Sequence, residues 1–299
     1  MCGIVGLYLK NLDLAPRLGE LVAPMLVCMT DRGQDSAGLA IYGDEAPEGC
    51  MKMTLRHPLP DFDWDGLAVS LGRHFDEEVG LQVNGTYAIV SVRVDETRLR
   101  RQVADADPEL RVMSVGRRIE ILKEVGSPQS IVDRFGVSEM RGTHVLGHTR
   151  MATESAVTTD GSHPFSTGMD LCLVHNGSLS NHNRLRDRLT RCGIEIRTLN
   201  DSEVAAGYLM WRLQDGYSLE GALESALEDL DGFYTFAIGT QDGFAVLRDP
   251  IACKPAVLAE TDDYVAMASE FQALAQLPGI ESARAWEPKP ATVYTWGQD

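Results

Sequence analysis

A cysteine directly follows the first methionine, in the stretch Met1-Cys2-Gly3-Ile4-Val5-Gly6. Removal of Met1 would leave Cys2 with a free α-amine beside its thiol. A chain-terminal α-amine has a reference pKa of about 8, close enough to neutral to act as the general base for such a thiol. Gly3 and Gly6 flank an apolar pair and permit close backbone approach at the mouth of a buried strand. The stretch therefore predicts a nucleophile, although an incidental cysteine is the alternative that it leaves open by itself.

Composition limits the classes of function that remain. The chain has 299 residues, of which 44% are hydrophobic and 24% charged, as in soluble globular proteins with a sizeable core. It has 27 basic against 44 acidic residues, a net charge of −17, which argues against nucleic acid or an anionic membrane as a partner. We see no apolar run of membrane-spanning length and no secretion leader, and we expect a cytoplasmic protein.

The six cysteines are scattered and include no CxxC pair. This spacing is typical neither of a zinc site nor of a disulfide framework, and it fits a reducing cytosol. We therefore expect no metal site, and five of the six to be small core residues or inert thiols. These five are Cys28, Cys50, Cys172, Cys192 and Cys253.

Apolar periodicity predicts the elements of the N-terminal half. Residues 3–9 indicate a buried strand, and Leu12 to Met29 an amphipathic helix that Pro24 interrupts. Residues 44–140 have a different, charge-rich texture and predict a small α/β inserted subdomain without chemistry of its own. Within it, Ser127-Pro128 is typical of a helix start.

Polar side chains follow several predicted strands of the remaining chain. Arg150 ends one strand, where a guanidinium could clamp a carboxylate, although a surface arginine is the ordinary alternative. Asn176-Gly177 follows another, where adjacent N–H groups suit an oxyanion hole but also a simple hairpin turn. Asn200 or Asp201 can cap the helix that runs to Leu213. Such capping would be a structural role for Asp201 and is the alternative to a functional one.

Together these segments resemble the class II glutamine amidotransferases, the N-terminal-nucleophile glutaminases. The resemblance implies an α+β fold, a four-layer αββα sandwich of the N-terminal nucleophile hydrolase type. It implies one glutamine amidotransferase type 2 domain over residues 1–299, with the 44–140 subdomain inserted in it. Seven segments in the family's order carry the resemblance: Met1 to Ile4, Arg32 to Gly38, Gly147 to Thr153, His175 to Gly177, Asn200 to Glu203, Arg248 to Pro255 and Ala268 to Glu270.

The resemblance also implies a role for each matching residue. Cys2 would attack the side-chain amide of L-glutamine to give a γ-glutamyl thioester and ammonia, with Asn176 and Gly177 stabilising the oxyanion. Arg150 would bind the α-carboxylate and Asp201 the α-ammonium group. The resemblance further implies that Thr153 and His175 bind the substrate and that Arg32 and Gly33 shape the loop near the nucleophile.

Family members usually carry a synthase that consumes the ammonia, and we find none within these 299 residues. We therefore expect a separate ammonia-accepting partner, which is a glutamate-synthase-like or N-methylglutamate-synthase-like subunit. Any flavin or iron–sulfur cofactor would then belong to the partner, and none to this chain. Two alternatives remain open: a non-catalytic or assembly-gated regulatory subunit of such a complex, and an N-terminal-cysteine acylase that acts on another amide.

Overall fold

A computed structural model describes residues 2–151 and 157–297. Sixteen strands occur within these ranges: β1 (Gly3–Leu9), β2 (Ser36–Tyr42), β3 (Met51–Arg56), β4 (Gly80–Asn84), β5 (Tyr87–Val92), β6 (Arg111–Gly116), β7 (Ile119–Val125), β8 (His144–Arg150), β9 (Phe165–Gly168), β10 (Leu171–Leu179), β11 (Gly232–Gly239), β12 (Phe244–Arg248), β13 (Val257–Glu260), β14 (Tyr264–Ala268), β15 (Arg284–Trp286) and β16 (Thr292–Trp296).

Eight α-helices accompany the strands in the described part of the chain: α1 (Leu18–Cys28), α2 (Trp64–Phe75), α3 (Glu96–Ala106), α4 (Pro128–Phe135), α5 (His182–Arg191), α6 (Asp201–Gln214), α7 (Leu219–Asp229) and α8 (Phe271–Leu274). A search of the same residues finds no helix with the length and apolar content that crossing a membrane requires.

The strands form three antiparallel sheets. A seven-stranded sheet has the order β15-β13-β14-β1-β8-β2-β7, and a five-stranded sheet the order β16-β12-β11-β10-β9. One hydrophobic cluster joins the two sheets face to face and continues to α1, α4 and α8; a second joins the outer face of the five-stranded sheet to α5, α6 and α7. The order of layers is therefore α, β, β, α, which confirms the predicted fold class.

Side-chain alternation along β10 shows how one strand serves both cores. Cys172 and Val174 belong to the cluster between the sheets, whereas Leu171 and Leu173 belong to the cluster beneath the helices. Successive side chains of a strand point to opposite faces, so a strand buried on both faces is apolar at every position. For this reason β10 is a continuous apolar run until it reaches His175.

A third, four-stranded sheet with the order β4-β5-β3-β6 carries α2 and α3 on its own small core. All of these elements lie within residues 44–140, which also contain β7 of the seven-stranded sheet. Asp170 anchors the connection between β6 and β7, because its carboxylate accepts backbone N–H bonds from Arg117, Arg118 and Ile119 at 2.6 to 2.9 Å. The division into a domain and an inserted subdomain stays a prediction.

The predicted helix over Leu12 to Met29 is wrong in its details. Residues Leu12–Arg17 form a 3-10 turn, α1 begins at Leu18, and Pro24 lies inside α1 without ending it. Pro24 is exposed, so water can solvate the carbonyl group that loses its helical partner there. The predicted strand over residues 3–9 and the helix start at Ser127-Pro128 match β1 and α4.

Candidate active site

Cys2 lies immediately before β1, a central strand of the seven-stranded sheet, and is partly exposed. Its carbonyl oxygen accepts hydrogen bonds from Arg32 Nε at 2.9 Å and from Asn176 Nδ2 at 3.1 Å. These two donors come from a loop and from the facing five-stranded sheet. They fix the backbone of the predicted nucleophile and thereby restrict the positions that its thiol can reach.

Arg32 and Gly33 lie in the loop between α1 and β2. Arg32 is buried, and its Nη1 is 2.7 Å from Glu270 Oε1, which follows β14. Gly33 packs on the backbone of Arg150, where an added Cβ would be 2.6 Å from its nitrogen. Backbone atoms cannot yield as a flexible side chain does, so this contact requires glycine. The loop therefore joins the Cys2 end of β1 to the Arg150 end of β8.

Asn176 lies on β10 and is 3% exposed. Its Nδ2 donates both to the Cys2 carbonyl and to Ser269 Oγ, each at 3.1 Å. Ser269 Oγ also accepts the backbone N–H of Ile4 at 2.9 Å, and the Ser269 N–H donates to the Ile4 carbonyl at 2.9 Å. The amide is thus held next to Cys2 by partners that belong to β1 and to the end of β14.

Gly177 follows Asn176 in a conformation that favours glycine, with φ of +147°. An added Cβ would lie 1.9 Å from the carbonyl oxygen of Phe233 on the paired strand β11. Both facts exclude an ordinary side chain without a shift of the sheet backbone. The Asn-Gly pair is therefore not a hairpin turn: it lies inside a nine-residue strand, beside Cys2.

Arg150 and Asp201 occupy the ends of two different elements. Arg150 is the last residue of β8 and is buried. Asp201 is the first residue of α6, and its Oδ2 accepts the Leu179 N–H at 2.9 Å. Asn200, and not Asp201, caps α6, because the Asn200 side chain accepts the Ser202 N–H. Asp201 is thereby released from the capping role. Thr153 lies outside the described residues.

His175 is buried on β10, directly before Asn176. Its Nδ1 lies 2.9 Å from Ser202 Oγ and 3.9 Å from Asp201 Oδ1. Its predicted role was substrate binding, and the structure places its ring among protein partners behind Asp201. These contacts engage only Nδ1, and the substrate-binding role of His175 stays a prediction.

Two further buried histidines lie beside His175. The rings of His148 and His163 stack at 4.0 Å, and the His148 Nε2 lies 3.1 Å from the His175 carbonyl oxygen. Burial lowers the pKa of His148 to about 3, lowers that of His163 well below its ordinary value, and lowers that of His175 despite the opposing Asp201 charge. The three imidazoles are therefore neutral near pH 7.

Folding stability is expected to fall on mild acidification because of these histidines. An unfolded histidine has a pKa of about 6.5, so below that pH the unfolded chain binds more protons than the folded chain does, until the folded pKa is reached. At pH 5 the neutral His148, with a folded pKa of about 3, lowers the free energy of unfolding by ~2 kcal/mol. Urea unfolding at pH 7 and pH 5 measures the change. His148→Gln should weaken this pH dependence, whereas replacement of exposed His74 should not. If the unfolding free energy of the His148 variant and of the wild type changed equally between pH 7 and pH 5, His148 would not be a buried neutral histidine.

One cluster of potential metal ligands occurs in the described residues, away from Cys2. It comprises His57, Asp107 and Glu109, whose ligand atoms lie within 4.8 Å of one another. His57 Nδ1 accepts the Leu59 N–H at 3.2 Å, which leaves the ring proton on Nε2, 3.7 Å from Asp107. Metal binding at Nε2 would require this proton to move to Nδ1 and the bond from the Leu59 N–H to break.

Two serines at the site were not singled out from the sequence. Ser269 links Asn176 to β1, and Ser202 contacts His175 and His163. Serine is a common residue, and its buried partners lie far away along the chain. The only sequence signal is their position within the Asn200 to Glu203 and Ala268 to Glu270 segments.

Comparisons with known proteins match the chain over its full length. Residues 148–276 match the family described as glutamine amidotransferase domain. The chain is 56% identical to the glutamine amidotransferase-like protein GlxB of Rhizobium meliloti (strain 1021), over 99% of this chain and 98% of that protein. It is 26% identical to the amidophosphoribosyltransferase of Archaeoglobus fulgidus, over 100% of this chain and 49% of that relative.

A solved structure supports the fold. The glutamine phosphoribosylpyrophosphate amidotransferase from B. subtilis aligns with a TM-score of 0.61 at 18% identity, over 100% of this chain and 49% of that one. This chain therefore spans about half the length of that enzyme, and the likeness at this identity concerns the fold alone. The full-length sequence match, the αββα layers and the groups gathered at Cys2 agree with one another. The chain belongs to the class II glutamine amidotransferase family.

Proposed function

We propose that the chain hydrolyses L-glutamine through a covalent intermediate on Cys2 and delivers the ammonia to a separate synthase. The observation that carries this proposal is the convergence on Cys2. Asn176, from the facing sheet, and Arg32, from the α1–β2 loop, both donate to its carbonyl oxygen. Arg150 and Asp201 lie at element ends joined to the same region through Gly33 and β10.

The first half of the reaction forms a thioester. After Met1 is removed, the α-amine of Cys2 takes the thiol proton and Sγ bonds to the side-chain amide carbon of glutamine. Asn176 Nδ2 and the Gly177 N–H stabilise the negative oxygen of the tetrahedral intermediate. The intermediate then expels ammonia, which leaves with the proton from the α-ammonium group, and a γ-glutamyl thioester remains.

The second half regenerates the enzyme. The α-amine takes a proton from water, the resulting hydroxide attacks the thioester carbon, and glutamate leaves as Sγ regains its proton. Arg150 and Asp201, of opposite charge, would bind the α-carboxylate and the α-ammonium group of the substrate. Such a pair excludes simple amides, which lack both charges.

The proposed acceptor of the ammonia is a glutamate-synthase-like subunit on another chain. The match to a glutamine amidotransferase domain supports the need for an acceptor, because such a domain releases ammonia from glutamine. Any flavin or iron–sulfur cofactor would belong to that subunit. All six cysteines are free in the structure, which supports a reducing, cytoplasmic location.

The test is to purify the chain from its native cells with its partners and to measure glutamate release with and without them. We expect glutamate release, and a copurifying synthase whose acceptor substrate raises its rate. Absence of glutamate release from both preparations would contradict glutamine hydrolysis. If the isolated chain released glutamate at the full rate and a copurified synthase had no effect on that rate, only the delivery of ammonia to the synthase would be contradicted.

A further inference from the structure

Ser202 is the second residue of α6, and it is 1% exposed. Its Oγ lies 2.8 Å from His163 Nε2, 2.9 Å from His175 Nδ1 and 3.4 Å from Asp201 Oδ1. A single hydroxyl group thus contacts two imidazole rings and one carboxylate. None of these contacts belongs to the cap of α6, which Asn200 provides through the Ser202 N–H.

The chemistry of these groups assigns a direction to each hydrogen bond. A serine hydroxyl has one proton to donate and two lone pairs that accept, whereas an ionised carboxylate only accepts. All three contacts are satisfied when Ser202 donates to Asp201 and both rings donate to Ser202. His163 then carries its proton on Nε2 and His175 on Nδ1, as the network assigns them.

The same network links the two ends of the predicted substrate site. His148 precedes Arg150 by two residues on β8, stacks on His163, and contacts the His175 carbonyl oxygen through Nε2. His163 contacts Ser202, which adjoins Asp201. A continuous path of buried contacts therefore runs from the strand that ends in Arg150 to the carboxylate of Asp201.

Packing alone does not account for this arrangement. Burial of imidazoles and a hydroxyl costs free energy that apolar side chains of similar volume would not cost. Apolar side chains could hold β8, β10 and α6 together, as they do in the two large cores. They could not donate a hydrogen bond to Asp201 Oδ1, whereas Ser202 does.

We propose that Ser202 is a positioning residue, which orients the Asp201 carboxylate toward the α-ammonium group of the amino-acid substrate. The inference rests on the proposed function and concerns its specificity. Leu179 N–H holds Oδ2 of Asp201 and Ser202 holds Oδ1, so the two donors set the plane of the carboxylate. The remaining lone pairs of Asp201, which is partly exposed, then face the ammonium group.

The test compares two ligands that differ only in the α-amino group. Ser202→Ala should raise KM for L-glutamine roughly 10-fold and change kcat by less than about 3-fold, since a hydrogen bond to a charged group is lost. Glutaramate is glutamine without its α-amino group, and its inhibition constant should stay within about 2-fold of the wild-type value because it makes no contact that Asp201 provides. If Ser202 had a purely structural role, its replacement would weaken the binding of glutamine and of glutaramate to the same extent.

Two further variants complete the design. Ser114→Ala removes an equally buried serine, 1% exposed, whose hydroxyl donates to Thr54 at 3.0 Å in the four-stranded sheet; it should leave both constants unchanged. In an Asp201→Asn background, Ser202→Ala should raise KM for L-glutamine by less than about 2-fold further, since the effects of groups that act as a unit are not additive. Ser202→Cys, of nearly the same shape, replaces Ser202→Ala if circular dichroism shows that the alanine variant is unfolded.

Three results would overturn the proposal. The first is an equal loss of affinity for glutamine and for glutaramate in the Ser202 variant. The second is full additivity of the effects of Ser202→Ala and Asp201→Asn on KM. The third is an unchanged KM for glutamine in the Ser202 variants. These results leave the proposed function intact, because the wild type would still hydrolyse glutamine. A wild-type protein that releases no glutamate, even with its partners, would overturn both.

Discussion

Replacing Cys2 with alanine is expected to reduce glutamate release from glutamine to background, a loss of ~10⁴-fold or more. Cys2 directly precedes β1, and Arg32 and Asn176 hold its carbonyl oxygen there. Neither donor can substitute for a nucleophile. A coupled assay of glutamate production with the Met1-processed variant measures the loss.

The matched control for this variant is Cys192→Ala. Cys192 is an exposed free thiol that follows α5, and its loss should leave the rate unchanged. Circular dichroism of both variants establishes that they are folded. Glutamate release by Cys2→Ala at the wild-type rate would refute a covalent mechanism on Cys2 and would favour an acylase or hydrolase mechanism that uses other groups.

Replacing Asn176 with alanine is expected to lower kcat by ~10²–10³-fold with a smaller change in KM. The Asn176 amide is 3% exposed and is held by Ser269 next to Cys2, so the N–H that it donates to the Cys2 carbonyl lies close to where charge develops during reaction and can turn to that charge. An interaction made in the transition state and not in the ground state affects kcat and leaves substrate binding largely unchanged. Steady-state kinetics over a range of glutamine concentrations separates the two constants.

Asn84→Ala is the control for this second prediction. Asn84 Nδ2 donates to the Phe135 carbonyl oxygen at 3.1 Å, a similar bond in a region remote from Cys2. Its loss should leave kcat and KM unchanged. If Asn176→Ala instead raised KM alone, Asn176 would be a substrate-binding group and the oxyanion hole would have to lie elsewhere.

The parts of the fold that the sequence predicts are those with local physical signals. The continuous apolar runs of β1 and β10 predict strands buried on both faces. The run of β1 begins directly after Cys2, and that of β10 ends at His175. Ser127-Pro128 predicts the start of α4 through its capping hydroxyl and its missing N–H. These signals depend on neighbouring residues only, so no tertiary information is needed to interpret them.

The remaining features depend on contacts between distant residues. Ser269 is 93 positions from Asn176 and 265 from Ile4, and Ser202 is 39 from His163, so nothing local distinguishes these serines from others. Pro24 predicts a helix break that does not occur. Pro24 is exposed, so water can solvate the carbonyl group that loses its helical partner, and this exposure depends on tertiary packing. Asn200 and Asp201 are equivalent as caps in the sequence, and only the structure assigns the cap to Asn200.

The most direct test of the central claim is the mass of the protein after exposure to 6-diazo-5-oxo-norleucine, an electrophilic analogue of glutamine. We expect one covalent adduct per chain, on Cys2, in protein that has lost Met1. Peptide mapping distinguishes Cys2 from the other five cysteines, and excess glutamine should slow the labelling. An unlabelled Cys2 in Met1-processed protein, with its synthase partner present, would contradict the account, as would an adduct on any other cysteine.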